Sequence, residues 1–134
     1  PDFGPANPHP TAGAMCVGAR PILIAYNLWL KGSTLEVAKR ICAELRSESV
    51  RTLALQVGSS VQVSMNLIAP EVTGPDKVYD AVAQYAEIDR AELVGLVPSR
   101  TLAAIPRHRW AQLDLSTETT IEWNLAERNR KLRA

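Results

Sequence analysis

Residues 51–67 read RTLALQVGSSVQVSMNL. Leu53, Leu55 and Val57 alternate with Thr52, Ala54 and Gln56. Beyond Gly58-Ser59-Ser60, Val61, Val63, Met65 and Leu67 alternate with Gln62, Ser64 and Asn66. A period of two on either side of a Gly-Ser turn predicts two strands closed into a hairpin. Upstream, Ile22–Leu30 (ILIAYNLWL) is rich in β-branched and aromatic residues and is stopped by Lys31-Gly32, which predicts a buried first strand. Between these strands Leu35, Ala38, Ile41, Cys42 and Leu45 recur at helical spacing, with Ser33 placed as N-cap and Glu36 at the capping-box distance. Downstream, Pro70–Pro75 is a breaker cluster. Val78, Ala81, Val82, Tyr85 and Ile88 then share one helical face, predicting a second helix that runs to about Asp89. Glu92–Val97 (ELVGLV), closed by Pro98, predicts the fourth strand.

The resulting order is β-α-β-β-α-β, an α/β (α+β) ferredoxin-like arrangement. Its right-handed crossovers put both helices on one face of the sheet. Arg100–Ile105 predicts a further helical turn, and Ser116 or Thr117 is placed as the cap of a C-terminal helix over 118–132. Residues 1–21 hold five of the nine prolines and three of the seven glycines, the composition of a connecting segment ahead of a folded unit over 22–134.

The chain of 134 residues is one domain's worth. Fifteen Lys and Arg against fourteen Asp and Glu leave a net charge of +1, which supplies no global field for nucleic acid or an anionic membrane. RNA recognition on this fold would also require aromatic residues on the central strands, where Gln62, Ser64 and Asn66 stand instead. Cys16 and Cys42 with two histidines, in no CxxC or HxxxH spacing, argue against a zinc site or a disulfide scaffold. No metal is therefore expected, and a reducing, cytoplasmic setting is. The apolar run at 21–30 is too short to span a membrane. The chain opens at Pro1 without Met, from which a missing upstream part is expected.

With both helices on one side, Val61, Val63, Met65 and Leu67 should face them. The opposite face then carries Gln56, Gln62, Ser64 and Asn66 with Asn27 and Trp29, polar but uncharged. From the residues alone, an ordinary solvated face and a ligand surface both stand. The same holds for the first loop, where His9-Pro10-Thr11-Ala12-Gly13-Ala14 and Arg20 suit either a plain exposed loop or the grip of a carboxylate. Arg107-His108-Arg109 and the basic C-terminus read as solvated charge.

Five separated motifs, DFGP (2–5), HPTAGA (9–14), VGARPILIAYN (17–27), QVSMNL (62–67) and GLVP (95–98), occur in order. In these the chain resembles the C-terminal half of a glutamate formimidoyltransferase (formiminotransferase) domain, and the likeness fades beyond Leu102. The resemblance implies two α/β halves whose sheets face a tunnel holding tetrahydrofolate. Across it a formimino group passes between glutamate and N5 of the folate during histidine breakdown, with the 5-formimino folate as co-substrate. It implies folate contacts from Phe3, Gly4, Pro5, His9, Pro10, Thr11, Ala12, Gly13 and Arg20, and tunnel-facing positions for Asn27, Gln62, Ser64 and Asn66. The partners it implies are folate, glutamate and an N-terminal subdomain of the same enzyme, with a homodimer as a further possibility. The family's catalytic histidine belongs to that N-terminal half, so no catalytic residue is assigned here. Met15-Cys16 and Leu28-Trp29 depart from the family pattern, and a bulky Trp29 bears on the width of the tunnel. Whether formimino or formyl is carried stays open. A non-catalytic ferredoxin-like module that binds a ligand or oligomerises through its open sheet is the alternative.

Overall fold

The computed structural model describes residues 2–133. The boundaries set at Pro1 and at residue 134 lie outside them. The elements follow the predicted order: β1 (Ile24–Leu30), α1 (Leu35–Leu45), β2 (Val50–Val57), β3 (Ser60–Leu67), α2 (Pro75–Ala83) and β4 (Ile88–Val94), then α3 (Ser99–Ala103), two 3-10 turns and α4 (Ile121–Lys131). The four strands form one antiparallel sheet in the order β2-β3-β1-β4. Each β-α-β crossover skips over a strand, as the ferredoxin-like arrangement requires.

Both helices lie on the same face. Ala38, Ile41 and Cys42 of α1 and Val78 and Val82 of α2 bury against Ile24, Tyr26 and Leu28 of β1 and Val61, Val63, Met65 and Leu67 of β3. Thr52 anchors β2 to α1: its Oγ1 donates to the Cys42 carbonyl at 2.8 Å, and Arg46 Nη2 donates to the Thr52 carbonyl at 2.9 Å. The segment after β4 completes this core. Leu102, Ile105, Leu113 and Leu115 are buried, and the Tyr26 hydroxyl donates to the Leu113 carbonyl at 2.9 Å. Arg109 grips Asp80 of α2 through both Nη atoms, at 2.8 and 2.6 Å. Among the described residues no helix is long and apolar enough to cross a membrane.

Several boundaries move. β1 starts at Ile24 because Ile22 and Leu23 precede the ladder and stay exposed. Thr34, not Ser33, caps α1, its Oγ1 accepting from the Val37 amide, while Glu36 pairs with Lys39 instead of closing a capping box. α2 ends at Ala83, and Ile88 belongs to β4, where it lies opposite Leu30. The period that carries Ile88 onto the helix is accidental, since the chain there pairs with β1. β4 is over by Val94, because Gly95 takes φ +92°, a left-handed turn that Gly adopts without penalty. Val97 then makes a parallel bridge to Thr120. At the C-terminus, Ser116 caps only a 3-10 turn over Thr117–Thr119, and Thr120 caps α4 through the Trp123 amide.

Candidate functional site

The β2–β3 hairpin turns on two residues, Gly58 and Ser59, so Val57 faces Ser60 and the register runs Leu55 to Gln62, Leu53 to Ser64 and Arg51 to Asn66. Residues directly opposite each other share a face. Gln62, Ser64 and Asn66 therefore lie where expected, on the side away from the helices, but their β2 neighbours there are Leu55, Leu53 and Arg51. Gln56 is opposite Val61 on the helix side, and its Nε2 closes the turn on the Gly58 and Ser60 carbonyls. Its assignment to the open face is corrected by the length of the turn. Leu53 is 59% exposed, and Val57 and Val94 are exposed with it.

The face is not uncharged either. β1 presents Asn27 and Trp29 and β4 presents Glu92 and Arg90 directly beside them. Glu92 Oε2 accepts from Asn27 Nδ2 at 3.0 Å, from the Trp29 indole Nε1 at 2.8 Å and from Gln62 Nε2 at 3.4 Å. The Arg90 guanidinium lies over the Trp29 ring, 4.3 Å from its centroid, and 4.0 Å from Glu92 Oε1. The hydrogen bonds from Asn27, then from Trp29, hold the Glu92 carboxyl below its ordinary range, so the group is ionised near neutrality. Gln62 is only 5% exposed although it points away from the helices, because the cluster covers it. Read as one apolar run from Glu92 to Val97, the fourth strand leaves out Arg90 and gives Glu92 no face. Shifting the strand four residues earlier gives Arg90, Glu92 and Val94 at alternate positions, which is the signal that places them on one face. Trp29, flagged as a bulky departure, is here a hydrogen-bond donor. Ser64 and Asn66 share the face without joining the Glu92 cluster.

The first loop forms a second arrangement. His9 and Gly13 exchange backbone hydrogen bonds at 3.1 and 2.9 Å around a tight turn in which Gly13 has φ +69°. Inside it the amides of Thr11 and Ala12 donate to His9 Nδ1 at 3.3 and 3.1 Å, with the Thr11 hydroxyl 3.2 Å away. A ring nitrogen that accepts two amides carries no proton, so in the neutral ring the proton sits on Nε2 as an outward donor. Phe3, Pro5, Pro8, His9, Pro10 and Gly13 line a concavity of about 630 Å³ with Asn7, Ala14 and Met15. The structure thus brings together Phe3, Pro5, His9, Pro10 and Gly13. Gly4, Thr11 and Ala12 are their chain neighbours, and Arg20 is not among the lining residues. Phe3 is 94% exposed, and the whole segment 2–23 is solvent-facing. An apolar ring and Pro rims displayed this way form a surface that burial of a partner would stabilise.

No family model matches the chain. Among curated proteins it is 37% identical to a glutamate formimidoyltransferase of Thermoplasma acidophilum, across 81% of this chain and 39% of that protein. It is also 37% identical to the formimidoyltransferase-cyclodeaminase of Rattus norvegicus, across 76% of this chain and 22% of the relative. With a glutamate formimidoyltransferase of Streptococcus pyogenes serotype M1 it shares 27% identity across 81% of the chain and 40% of the relative. The chain spans about two fifths or less of the length of these relatives.

Proposed function

We propose that this chain, a homologue of one segment of the glutamate formimidoyltransferases, is the folate-binding part of such an enzyme. It works with a second α/β half to pass a formimino group between glutamate and tetrahydrofolate in histidine breakdown, in the cytoplasm. The observation that carries the reading is the open sheet face. Leu53, Val57 and Val94 are exposed there around a fixed, ionised Glu92 cluster, the make-up of a wall that closes on a ligand and a partner sheet. In this reading Asn27, Gln62, Ser64 and Asn66 line the tunnel. The first loop supplies what a reduced folate needs at its other parts. Phe3, Pro5 and Pro10 suit the apolar aminobenzoyl middle. His9 Nε2, left free by the His9–Gly13 turn whose Thr11 and Ala12 amides occupy Nδ1, donates to a carbonyl or carboxylate, and Arg20 beyond Gly4–Gly13 pairs with the carboxylate tail. A concavity of about 630 Å³ is of the size that takes such a ligand.

Chemically, formimino transfer needs a proton donor and acceptor near neutrality at the tetrahedral adduct. No residue of this chain is assigned that part, so the chain alone should bind but not turn over. The test is transfer from N-formimino-glutamate to tetrahydrofolate, assayed for this chain alone and for it joined to an upstream half of a relative. Turnover only in the joined protein is expected, with 5-formyltetrahydrofolate binding to the isolated chain weakened when His9 or Arg20 is replaced by Ala. Turnover by the chain alone overturns the division of labour.

A second reading rests on the same exposed Leu53, Val57 and Val94, taken without the first loop. A non-catalytic module would pair that face with a second copy. A dimer in sedimentation that Leu53→Asp dissolves, with no folate binding, supports this reading over the first.

A further inference from the structure

Glu92 accepts hydrogen bonds and, as a carboxylate, cannot donate one, so each side-chain amide that touches it must turn its nitrogen inward. Asn27 Nδ2 and Gln62 Nε2 do so, and the Trp29 indole N–H, which has no acceptor of its own, joins them on the same oxygen, Oε2. Each amide spends one of its two N–H groups on Glu92, and the indole spends its only one. Also turned away from the shared oxygen are Glu92 Oε1 and the carbonyl oxygens of Asn27 and Gln62, none of which takes an N–H or O–H hydrogen bond from another described residue. Arg90 is drawn over the Trp29 ring and reaches Oε1 only at 4.0 Å.

We infer that the Glu92–Asn27–Gln62 cluster is an acceptor-rich subsite that recognises a planar, N–H-rich amidine-type edge, with the Glu92 carboxylate as the group that sets this specificity. The inference rests on the folate reading above and deepens it. Such an edge occurs twice among the proposed ligands: in the 2-amino-pyrimidinone ring of the pterin, and in the formimino group, whose N–C–N unit is a protonated amidine near neutrality. Both offer N–H groups to oxygens that would otherwise face only water. The rigidity of the subsite comes from the sheet. Asn27 and Trp29 sit on the central strand β1, Gln62 and Glu92 on the strands at either side, and the three hydrogen bonds fix the Glu92 rotamer before any ligand arrives.

The experiment uses the chain labelled with 15N. The Trp29 indole N–H and the Asn27 and Gln62 side-chain amides report the cluster directly. 5-Formyltetrahydrofolate carries the pterin edge without an amidinium, and N-formimino-glutamate carries the amidinium without a pterin. Shifts of these three reporters by either ligand at saturating concentration, with affinity weakened about tenfold or more in Glu92→Gln, are the expected result. The ligand that produces them identifies the source of the edge. Folate binding seen by calorimetry that leaves the three reporters unmoved, or that Glu92→Gln does not weaken, overturns the subsite and leaves the folate reading standing. No binding of either ligand to the wild-type chain overturns both. The wild-type reporter shifts need no variant, so the test holds even where Glu92→Gln perturbs folding.

Discussion

Replacing Tyr26 with Phe keeps the ring in the core and removes one hydroxyl. Tyr26 is fully buried on the helix face of β1, and its hydroxyl donates to the Leu113 carbonyl at 2.9 Å, a contact that, with the Leu93 amide on Asp114 Oδ2, ties the segment after β4 back to the sheet. Leu113 is itself fully buried, so in Tyr26→Phe its carbonyl loses its partner out of reach of water. The cost is that of an unpaired buried acceptor, about 1–3 kcal/mol, with no cavity contribution. For a chain of this size that lowers the melting midpoint by roughly 4–12 °C and the urea midpoint by on the order of 1 M, at unchanged slope. A second signature comes from ionisation. Burial, reinforced by the nearby Asp114 charge, pushes the Tyr26 phenol far above its ordinary value of 10.0. Between the ordinary value and the folded value the unfolded chain has lost a proton that the native state keeps. Stability is therefore intact below pH 10 and falls as pH rises beyond it, by up to about 1.4 kcal/mol per pH unit from this group. Tyr26→Phe lacks this slope, so the gap between wild type and variant should narrow above pH 10. Circular dichroism during urea titration at pH 7 and at pH 10.5 measures both effects. A loss below about 0.5 kcal/mol at pH 7, or a gap that widens with alkalinity, would refute the argument that this hydroxyl is sealed and holds the segment.

Three further outcomes are expected. Gly58→Ala should destabilise the hairpin by about 1–2 kcal/mol: Gly58 sits at φ +60° and a Cβ there meets nothing within 4 Å, so the penalty is backbone strain alone, read by thermal melting. Glu92 gains stability from hydrogen bonds to its ionised form. That contribution is present above the ordinary carboxylate value of 4.5 and is lost as pH falls through the lower folded value, so the Trp29 indole resonance should hold steady from neutrality to pH 4.5 and move only below it. Leu53→Asp should leave the isolated chain within about 0.5 kcal/mol of wild type in urea unfolding, because Leu53 is exposed, yet abolish assembly with an upstream half or with a second copy.

Much of the architecture was legible from local patterns. The hairpin announced itself through period-two alternation around Gly58-Ser59, and α1 through Ala38, Ile41 and Cys42, because a strand or helix half-buried on one layer must repeat its apolar residues at its own period. Boundaries failed where a residue served two periods. Ile88 continues the α2 stripe and also starts β4, and only pairing with Leu30 decides between them. The open face was half-legible. Gln62, Ser64 and Asn66 followed from the β3 pattern, but Gln56 was misplaced because the β2 pattern Leu53, Leu55, Val57 imitates a core face. The two-residue turn that fixes the register was already in the sequence and assigns those residues to the open side.

By itself, the sequence determined the order β-α-β-β-α-β, the side on which the helices pack, and the Pro- and Gly-rich loop around His9. Each of these depends on residues a few positions apart. Only the tertiary structure decided that Glu92 is the centre of the exposed face. Its three donors come from β1 and β3, at sequence separations of 65 residues for Asn27, 63 for Trp29 and 30 for Gln62. Their meeting depends on the registers of β1 with β3 and of β1 with β4, which are set by how the whole core packs, and no local period encodes a register between strands that are not neighbours in the chain.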